Sequence, residues 1–257
     1  MSRAEVDTTG VVGQFDVAAA TYDRLVGANP GYHRLLRSAA RRLVDGLGWI
    51  GTDGTDGTGL RLLDLGCGTG ASTAALLGVA PNATIVGVDG SAGMLGAARE
   101  KSWPANVAFV QARAEDLPAA LAEAGLEQPF DGILAAYLVR NVAEPDRDAM
   151  LASLTAVVRP GGRLAVVDYA LTGSLSSRLV WTAVCHAVVM PLVRLTRGPV
   201  DLYGYLWHSA LAFDRAPELA TRLERCGLTD IEVHPGPHWQ HNVAATVLGR
   251  MPAEAGP

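Results

Sequence analysis

The chain has little lysine, no paired cysteine pattern and no excess of positive charge. Lys101 is the single lysine among 21 basic residues, and the formal net charge is −5. A nucleic-acid-binding domain carries the opposite balance, so nucleic acid is excluded as a general partner. Cys67, Cys185 and Cys226 are scattered with no Cys-x-x-Cys. That spacing excludes a disulfide framework and a structural metal, and it makes a reducing cytoplasm the default expectation. No basic, apolar, cleavable leader opens the sequence. The stretch LVWTAVCHAVVMPLV (179–193) holds no charged side chain, yet it falls short of the ~20 residues of a membrane span and contains His186 and Pro191. Apolar residues, by contrast, are plentiful at 49%, with a mean hydropathy of +0.19. Over 257 residues that is ample for one large α/β domain or for a domain with an appended lid.

The richest signal is LLDLGCGTG (62–70), followed by IVGVD ending at Asp89. An apolar strand runs into a glycine-rich turn, and a small-residue helix begins at Ala71. Gly66, Gly68 and Gly70 let a ligand lie against bare backbone. The first N–H groups of the helix are free to receive a negative group, and an acid closing the second strand suits ribose hydroxyls. Gly66, Gly68 and Ala71 also satisfy the dinucleotide fingerprint G-x-G-x-x-G/A. Asp64 argues against that ligand, because a pyrophosphate would feel its charge. S-adenosylmethionine carries an ammonium, a sulfonium, a carboxylate and an adenosine, and no phosphate. Asp64 at the loop base, for the amino group, and Asp89 on the ribose edge fit that cofactor. Around them Cys67, Gly90, Met94, Ala114 and Glu115 complete the expected cofactor site.

Strand and helix signals alternate from residue 60 onward. LRLLDL, TIVGVD, VAFVQA, FDGILAAY and RLAVVDY read as five buried strands, with helical stretches after Gly70, after Ser91, near 115–124 and over 145–158. LTDIEVH and NVAATVLGR read as a closing pair. The predicted fold is α/β: a seven-stranded, mostly parallel, doubly wound sheet with an added helical lid. The expected organisation is an N-terminal helical lid (1–50), a flexible linker, GTDGTDGTG (51–59), and a core (60–257) with a helical insertion at 171–213. The apolar 179–193 stretch reads as a buried or lid helix, with a greasy tunnel or a lipid-touching surface as the sharper alternative.

The sequence resembles the S-adenosylmethionine-dependent methyltransferases in LDLGCGTG, GVDGSAGML (87–95), AEDLP (114–118) and RPGGRLAVVD (159–168). It is similar, more specifically, to the ubiquinone and menaquinone biosynthesis C-methyltransferases. FDVAAATYDRL (15–25), GYHRLLR (31–37), YLVRNV (137–142) and YGYL (203–206) with Ser209 carry that likeness, which runs from about residue 15 to 230. Arg113 stands where the family usually has an aspartate for the adenine amino group, so adenine is expected on the backbone of Ala114. His208 and Asp168 replace glutamates, and GPHWQHNVAATVLG (236–249) departs from the family's ending. The resemblance implies methyl transfer to a quinol, and the departures cluster where an acceptor would enter.

Methyl transfer from a sulfonium requires nucleophile, methyl and sulfur in line. An aromatic wall supports the cation, and Tyr22 is the candidate. By the resemblance, Arg140 and Asn141 sit beside the acceptor. Arginine is a poor base, so Arg140 is expected to lower a phenol's pKa and Asn141 to orient it. His208 and His241 are the candidate bases, with His238 beside Trp239. Trp181, Met190, Tyr203, Tyr205, Trp207 and Trp239 are expected to wall an apolar acceptor pocket. Arg34, Arg37 and Arg41 form a basic stripe, either a solvated face or a contact with anionic lipid. The partner is a hydrophobic small molecule or a lipid quinol. A homodimer and peripheral membrane contact stay open. Besides quinol C-methylation, two functions remain: O-, N- or C-methylation of a small aromatic natural product, and a non-catalytic S-adenosylmethionine-binding partner protein.

Overall fold

The computed structural model describes residues 13, 15, 16, 22, 23, 31–48, 56–126, 128–196 and 200–253. Among these, seven strands form one sheet: β1 (Arg61–Leu65), β2 (Thr84–Asp89), β3 (Val107–Gln111), β4 (Phe130–Ala136), β5 (Val158–Asp168), β6 (Thr229–Pro235) and β7 (Ala245–Arg250). Their order is β3-β2-β1-β4-β5-β7-β6. All adjacent pairs are parallel from β3 to β5, and β7 runs antiparallel to both β5 and β6. The expected sheet is therefore present. Because strand order reverses between β1 and β4, a crevice opens at their C-terminal ends, where such sheets bind ligands.

Consecutive strand residues face opposite ways, and two cores result. Leu62, Leu134, Ala165 and Val167 face α1 (Tyr32–Gly46) and α2 (Ala71–Leu77). Leu63, Leu65, Ile133, Leu164 and Val166 face the opposite layer, which includes α4 (Leu117–Glu123), α5 (Arg147–Thr155) and, following the insertion, α9 (Ala216–Arg225). The helix α3 (Ala92–Arg99) follows β2 and is capped by Ser91, whose Oγ accepts from the Met94 N–H at 3.1 Å. The chain between β4 and α5 makes two short 3-10 turns, Val139–Asn141 and Glu144–Asp146.

The organisation differs from the sequence expectation in four places. First, α1 is a wall of the core rather than a cover: Leu35, Leu36, Ala39, Ala40 and Leu43 are buried against the sheet. Arg34, Arg37 and Arg41 lie exposed on its outer side. Second, the end of the linker is fixed. Asp56 accepts from the Thr58 N–H and from Asn82 Nδ2, both at 2.9 Å. A Cβ on Gly57 would stand 2.6 Å from that of Ala80. Residues 51–55, like most of 1–30, lie outside the described residues. Third, β5 begins at Val158, so α5 ends at Thr155. Fourth, the apolar stretch is longer than its uncharged part. Helical structure runs from α6 (Leu175–Val184) through a π turn (Cys185–Val189) to α7 (Met190–Leu195). That makes 21 residues, long and apolar enough by composition to cross a membrane.

The insertion closes with α8 (Val200–Ala212). Trp181 Nε1 donates to the Trp207 carbonyl and Trp207 Nε1 to Thr182 Oγ1, each at 3.2 Å, so α6 and α8 are clamped together. An ionic cluster ties the end of the insertion to the core. Asp214 pairs with Arg147 at 3.3 Å and with Arg222 at 2.7 Å, and Arg222 reaches Glu144 at 2.7 Å.

Candidate active site

Two cavities adjoin at the C-terminal edge of the sheet. The larger, about 220 Å³, lies over the glycine turn between β1 and α2. The smaller, about 50 Å³, lies beneath the insertion. They share Phe15, Tyr22, Tyr32 and Tyr137 as walls.

The turn is strapped down by Gly66 and Cys67, whose N–H groups donate to the Val88 carbonyl at 2.7 and 3.0 Å. Gly68 has φ +55°, and a Cβ there would meet no protein atom within 4 Å. Gly68 lines the cavity, so a ligand there can lie against bare backbone. Asp89 forms the polar edge. Its oxygens accept from the Gly68 and Ser91 N–H groups, both at 2.8 Å. Burial raises its pKa, and those two backbone donors oppose the shift. Each oxygen keeps a lone pair for a ligand hydroxyl. Bare backbone, a carboxylate edge and flanking apolar groups, Met94 among them, fit an adenosine sulfonium. The positive residue on the described lining, Arg113, is paired with Glu115 rather than kept for a pyrophosphate.

Gly66, Cys67, Gly68, Asp89, Gly90, Met94, Ala114 and Glu115 all line this cavity. Gly70 does not: its bare Cα makes room for Trp103, whose ring would lie 2.7 Å from a Cβ. Asp64 is also displaced from its expected place. It lies on the α2 side of β1, fully buried, and its Oδ2 accepts from Ser72 Oγ at 2.8 Å and Thr73 Oγ1 at 2.6 Å. Burial pushes its carboxyl up to about 7 against those two donors. Asp64 thus fixes the start of α2 from behind, and Ser72 is the wall residue that connects it to the cavity. Arg113 turns to Glu115, 3.2 Å away, and both side chains are largely exposed.

Asp16 and Asp23 are each bonded to the rim of this cavity. Asp16 accepts from Ser91 Oγ at 2.5 Å and from the Gly93 N–H at 2.8 Å. Asp23 accepts from Thr69 Oγ1 and pairs with Lys101 at 2.5 Å. Lys101 also donates to the Thr69 carbonyl at 2.7 Å. Phe15 and Tyr22 are carried in between, edge to face with ring centroids 6.1 Å apart.

The smaller cavity is aromatic. The chain has six tyrosines, and Tyr22, Tyr32, Tyr137, Tyr169, Tyr203 and Tyr205 all line it. Tyr32, Tyr137, Tyr169 and Trp181 make a continuous run of rings with centroid spacings of 5.1, 5.0 and 4.4 Å. Among the described residues, the one charged wall residue is Arg140. Its Nε lies 3.2 Å from Asp168 Oδ1, and its Nη1 donates to Asn141 Oδ1 at 2.7 Å and Ser209 Oγ at 3.3 Å. Asp168 also accepts the backbone N–H groups of Arg140 at 3.1 Å and Tyr169 at 2.9 Å. Tyr205 donates to Asn141 Oδ1 at 3.3 Å, while Asn141 Nδ2 donates to the Tyr137 carbonyl at 3.1 Å. The pair Arg140–Asp168 is almost wholly buried.

Of the five expected catalytic residues, Tyr22, Arg140 and Asn141 come together at these walls. His208 and His241 do not: both are exposed and line neither cavity. His208 falls on the outer side of α8 against Trp207, and His241 sits exposed in the 3-10 turn His238–Asn242. Of the expected aromatic wall, Trp181, Tyr203 and Tyr205 are present, whereas Met190, Trp207 and Trp239 pack into the surrounding core. The reading missed Tyr32, Tyr137 and Tyr169. Their signal is a count, since a chain with few aromatics places every tyrosine at one cavity. Among the described residues, no group of His, Cys, Asp and Glu could hold a metal ion.

Comparison with known proteins agrees with this geometry. Residues 62–162 match the model of a methyltransferase domain. The chain is 31% identical over 224 residues to a demethylmenaquinone methyltransferase from Clavibacter sepedonicus, covering 86% of this chain and 83% of that one. It is 29% identical over 235 residues to a ubiquinone/menaquinone biosynthesis C-methyltransferase from Shewanella halifaxensis, covering 89% and 86%. Among solved structures, magnesium protoporphyrin IX methyltransferase from Synechocystis with bound SAH superposes with a TM-score of 0.59. It shares 18% identity and covers 95% of this chain and 100% of that one, so it supports the fold alone. The sheet and its site are those of an S-adenosylmethionine-dependent methyltransferase, and the chain belongs, within that class, to the family of the demethylmenaquinone and ubiquinone/menaquinone C-methyltransferases.

Proposed function

We propose that the enzyme methylates a ring carbon of a hydrophobic, quinol-like acceptor, with the donor in the 220 Å³ cavity and the acceptor ring among the six tyrosines. The observation that carries this reading is Arg140, a cation held by Asp168 in a cavity whose other described walls are aromatic or aliphatic and which adjoins the donor cavity. The relatives' names support the acceptor class. Bound S-adenosylmethionine supplies an electrophilic methyl. On the acceptor, a new carbon–methyl bond forms as the methyl–sulfur bond breaks, sulfur keeps the electron pair, and the ring carbon then loses its proton to water. Asp89 and the glycine turn hold the donor, and Tyr22 and Phe15 cover it from bulk water. Asn141 and Tyr205 orient an acceptor oxygen.

Arg140 makes the ring electron-rich by favouring the phenolate. Its field already acts on one phenol: it lowers the Tyr22 pKa against the larger upward shift from burial. The described walls of the acceptor cavity hold no histidine and no carboxylate, so the oxygen loses its proton to solvent. The rate then rises with pH as the acceptor hydroxyl ionises, with no step near the histidine pKa of ~6.5.

The outer side of the Leu175–Leu195 helix fits a peripheral membrane contact that would bring such an acceptor. Leu175, Leu179 and Leu195 are 74%, 60% and 82% exposed. The only charges in the stretch are Arg178 and Arg194, which suits anionic lipid. The inner side contributes Trp181 and Val189 to the acceptor cavity.

The test is transfer of labelled methyl from S-adenosylmethionine to a prenylated naphthoquinol in anionic vesicles, with a small catechol as the competing acceptor. Carbon-methylated naphthoquinol supports the reading. Methylation of the catechol oxygen alone would replace it with a small-aromatic methyltransferase.

A further inference from the structure

We propose that the hydroxyls of Tyr137 and Tyr203 form a neutral oxygen-binding subsite in the acceptor cavity, beside the charged Arg140–Asn141 pair, and that this subsite selects a ring bearing a second oxygen. The inference rests on the acceptor reading above. Both residues line the cavity. Both hydroxyls are buried and have no hydrogen-bond partner among the described residues. Their neighbours are engaged: Tyr22 and Tyr32 bond to each other through their side chains, and Tyr205 bonds to Asn141. Buried hydroxyls are ordinarily paired, so two unpaired ones at one cavity mark groups kept for a ligand.

The backbone of Tyr137 points the same way. Its φ is +57°, a left-handed conformation that is an outlier for a bulky side chain. The surroundings hold it there. Its N–H donates to the Val167 carbonyl at 2.6 Å, its own carbonyl accepts from Asn141 Nδ2 at 3.1 Å, and its ring lies between those of Tyr32 and Tyr169. Strain of this kind persists where a position is over-determined, and it concentrates at ligand sites. The consequence is that Tyr137 stands on the wall common to both cavities.

The chemistry of the two groups differs. Arg140 offers a positive charge and favours an ionised oxygen. Burial raises the pKa of both Tyr137 and Tyr203, so they stay protonated and neutral. A phenol hydroxyl donates one hydrogen bond and accepts others, and it therefore pairs with either a hydroxyl or a carbonyl oxygen. One ring oxygen is activated by Arg140 while the other is held, un-ionised, by the tyrosine hydroxyls. A ring lacking the second oxygen leaves the two hydroxyls unpaired, which is how polar sites reject analogues.

The experiment measures binding of two probes, 1,4-dihydroxynaphthalene and 1-naphthol, to the full chain loaded with S-adenosylhomocysteine under reducing conditions. It compares wild type with Tyr137→Phe and Tyr203→Phe. Phenylalanine keeps the ring run, and affinity for S-adenosylhomocysteine reports intact folding. The wild type should prefer the two-oxygen probe. Each variant should lose about tenfold of that preference while holding 1-naphthol unchanged. An unchanged ratio in both variants would overturn the subsite. A wild type that binds S-adenosylhomocysteine but neither probe would overturn the acceptor reading itself, and the subsite with it.

Discussion

The two cavities are built in opposite ways. The floor of the donor cavity comes from neighbouring stretches of sequence. The loop after β1, the end of β2 and the start of α3 supply Gly66 to Gly68, Asp89 to Ser91 and Met94, largely through backbone groups that any sequence with those glycines would offer. The acceptor cavity is assembled from side chains far apart in sequence: Tyr22, Tyr32, the end of β4, the residue after β5, and the helices α6 and α8. One is a property of the fold and the other of this chain. The likeness to magnesium protoporphyrin IX methyltransferase, at 18% identity, is one of fold alone, and a fold does not choose the acceptor.

The sharpest way to separate the two is to remove Arg140. Arg140→Gln should lower kcat by about 10²–10³, by analogy with loss of one preorganised electrostatic group. Asp168 would lose its counter-charge and the variant would melt earlier. Calorimetry should find affinity for S-adenosylhomocysteine within a few-fold of wild type. A large loss of donor affinity would mean that the two cavities are not separable.

The converse test is Asp89→Ala. Loss of a charge-assisted pair of ribose contacts should weaken the donor product by roughly 1.5–3 kcal/mol. The acceptor preference measured at saturating donor should stay the same. If acceptor preference shifts instead, Asp89 reaches across the shared wall.

Asp64 tests what supports the donor half. Its folded pKa of about 7 lies above the unfolded value of 3.8, so the folded state binds the extra proton between those values. Its contribution to stability is present below about pH 4 and is lost as pH rises to about 7. Asp64→Asn keeps an acceptor for Ser72 and Thr73 and removes the titration. Urea denaturation at pH 5 and pH 8 should then show a smaller fall in stability than in wild type. An identical fall would place the titration elsewhere.

The smallest effect is expected at the histidines. His208→Ala and His241→Ala lie outside both cavities and should leave turnover within about twofold. A loss of 10²-fold in either would return that imidazole to the mechanism.

The same contrast governs what could be read from sequence. Alternating apolar runs and the glycine turn made the sheet legible, because strand period and positive φ leave local marks. Asp89 was legible for the same reason. Asp64 was assigned to the ligand because sequence shows proximity to a turn and not which side of a strand a residue takes. It shares the face of Leu62, toward Ser72 and Thr73. The histidines were chosen for their chemistry, and their exposure depends on how α8 and the 238–242 turn pack. Tyr32, Tyr137 and Tyr169 are 105 and 32 residues apart in sequence, and only the closed sheet with α1 packed on it stacks them. Helix 32–46 reads equally well as a cover or a wall by its amphipathic pattern; burial of Leu35 to Leu43 decides for a wall.

The central claim is that donor and acceptor ring meet where the two cavities adjoin, beside Tyr22 and Tyr137. A crystal structure of the complex with S-adenosylhomocysteine and an unreactive 1,4-dihydroxynaphthalene analogue tests it directly. The account predicts the sulfur over the Gly66–Gly68 turn and the ring among the six tyrosines, with one oxygen at Arg140 and Asn141. A ring bound beside His241 or on the outer side of the Leu175–Leu195 helix, with the tyrosine cavity closed, would contradict it.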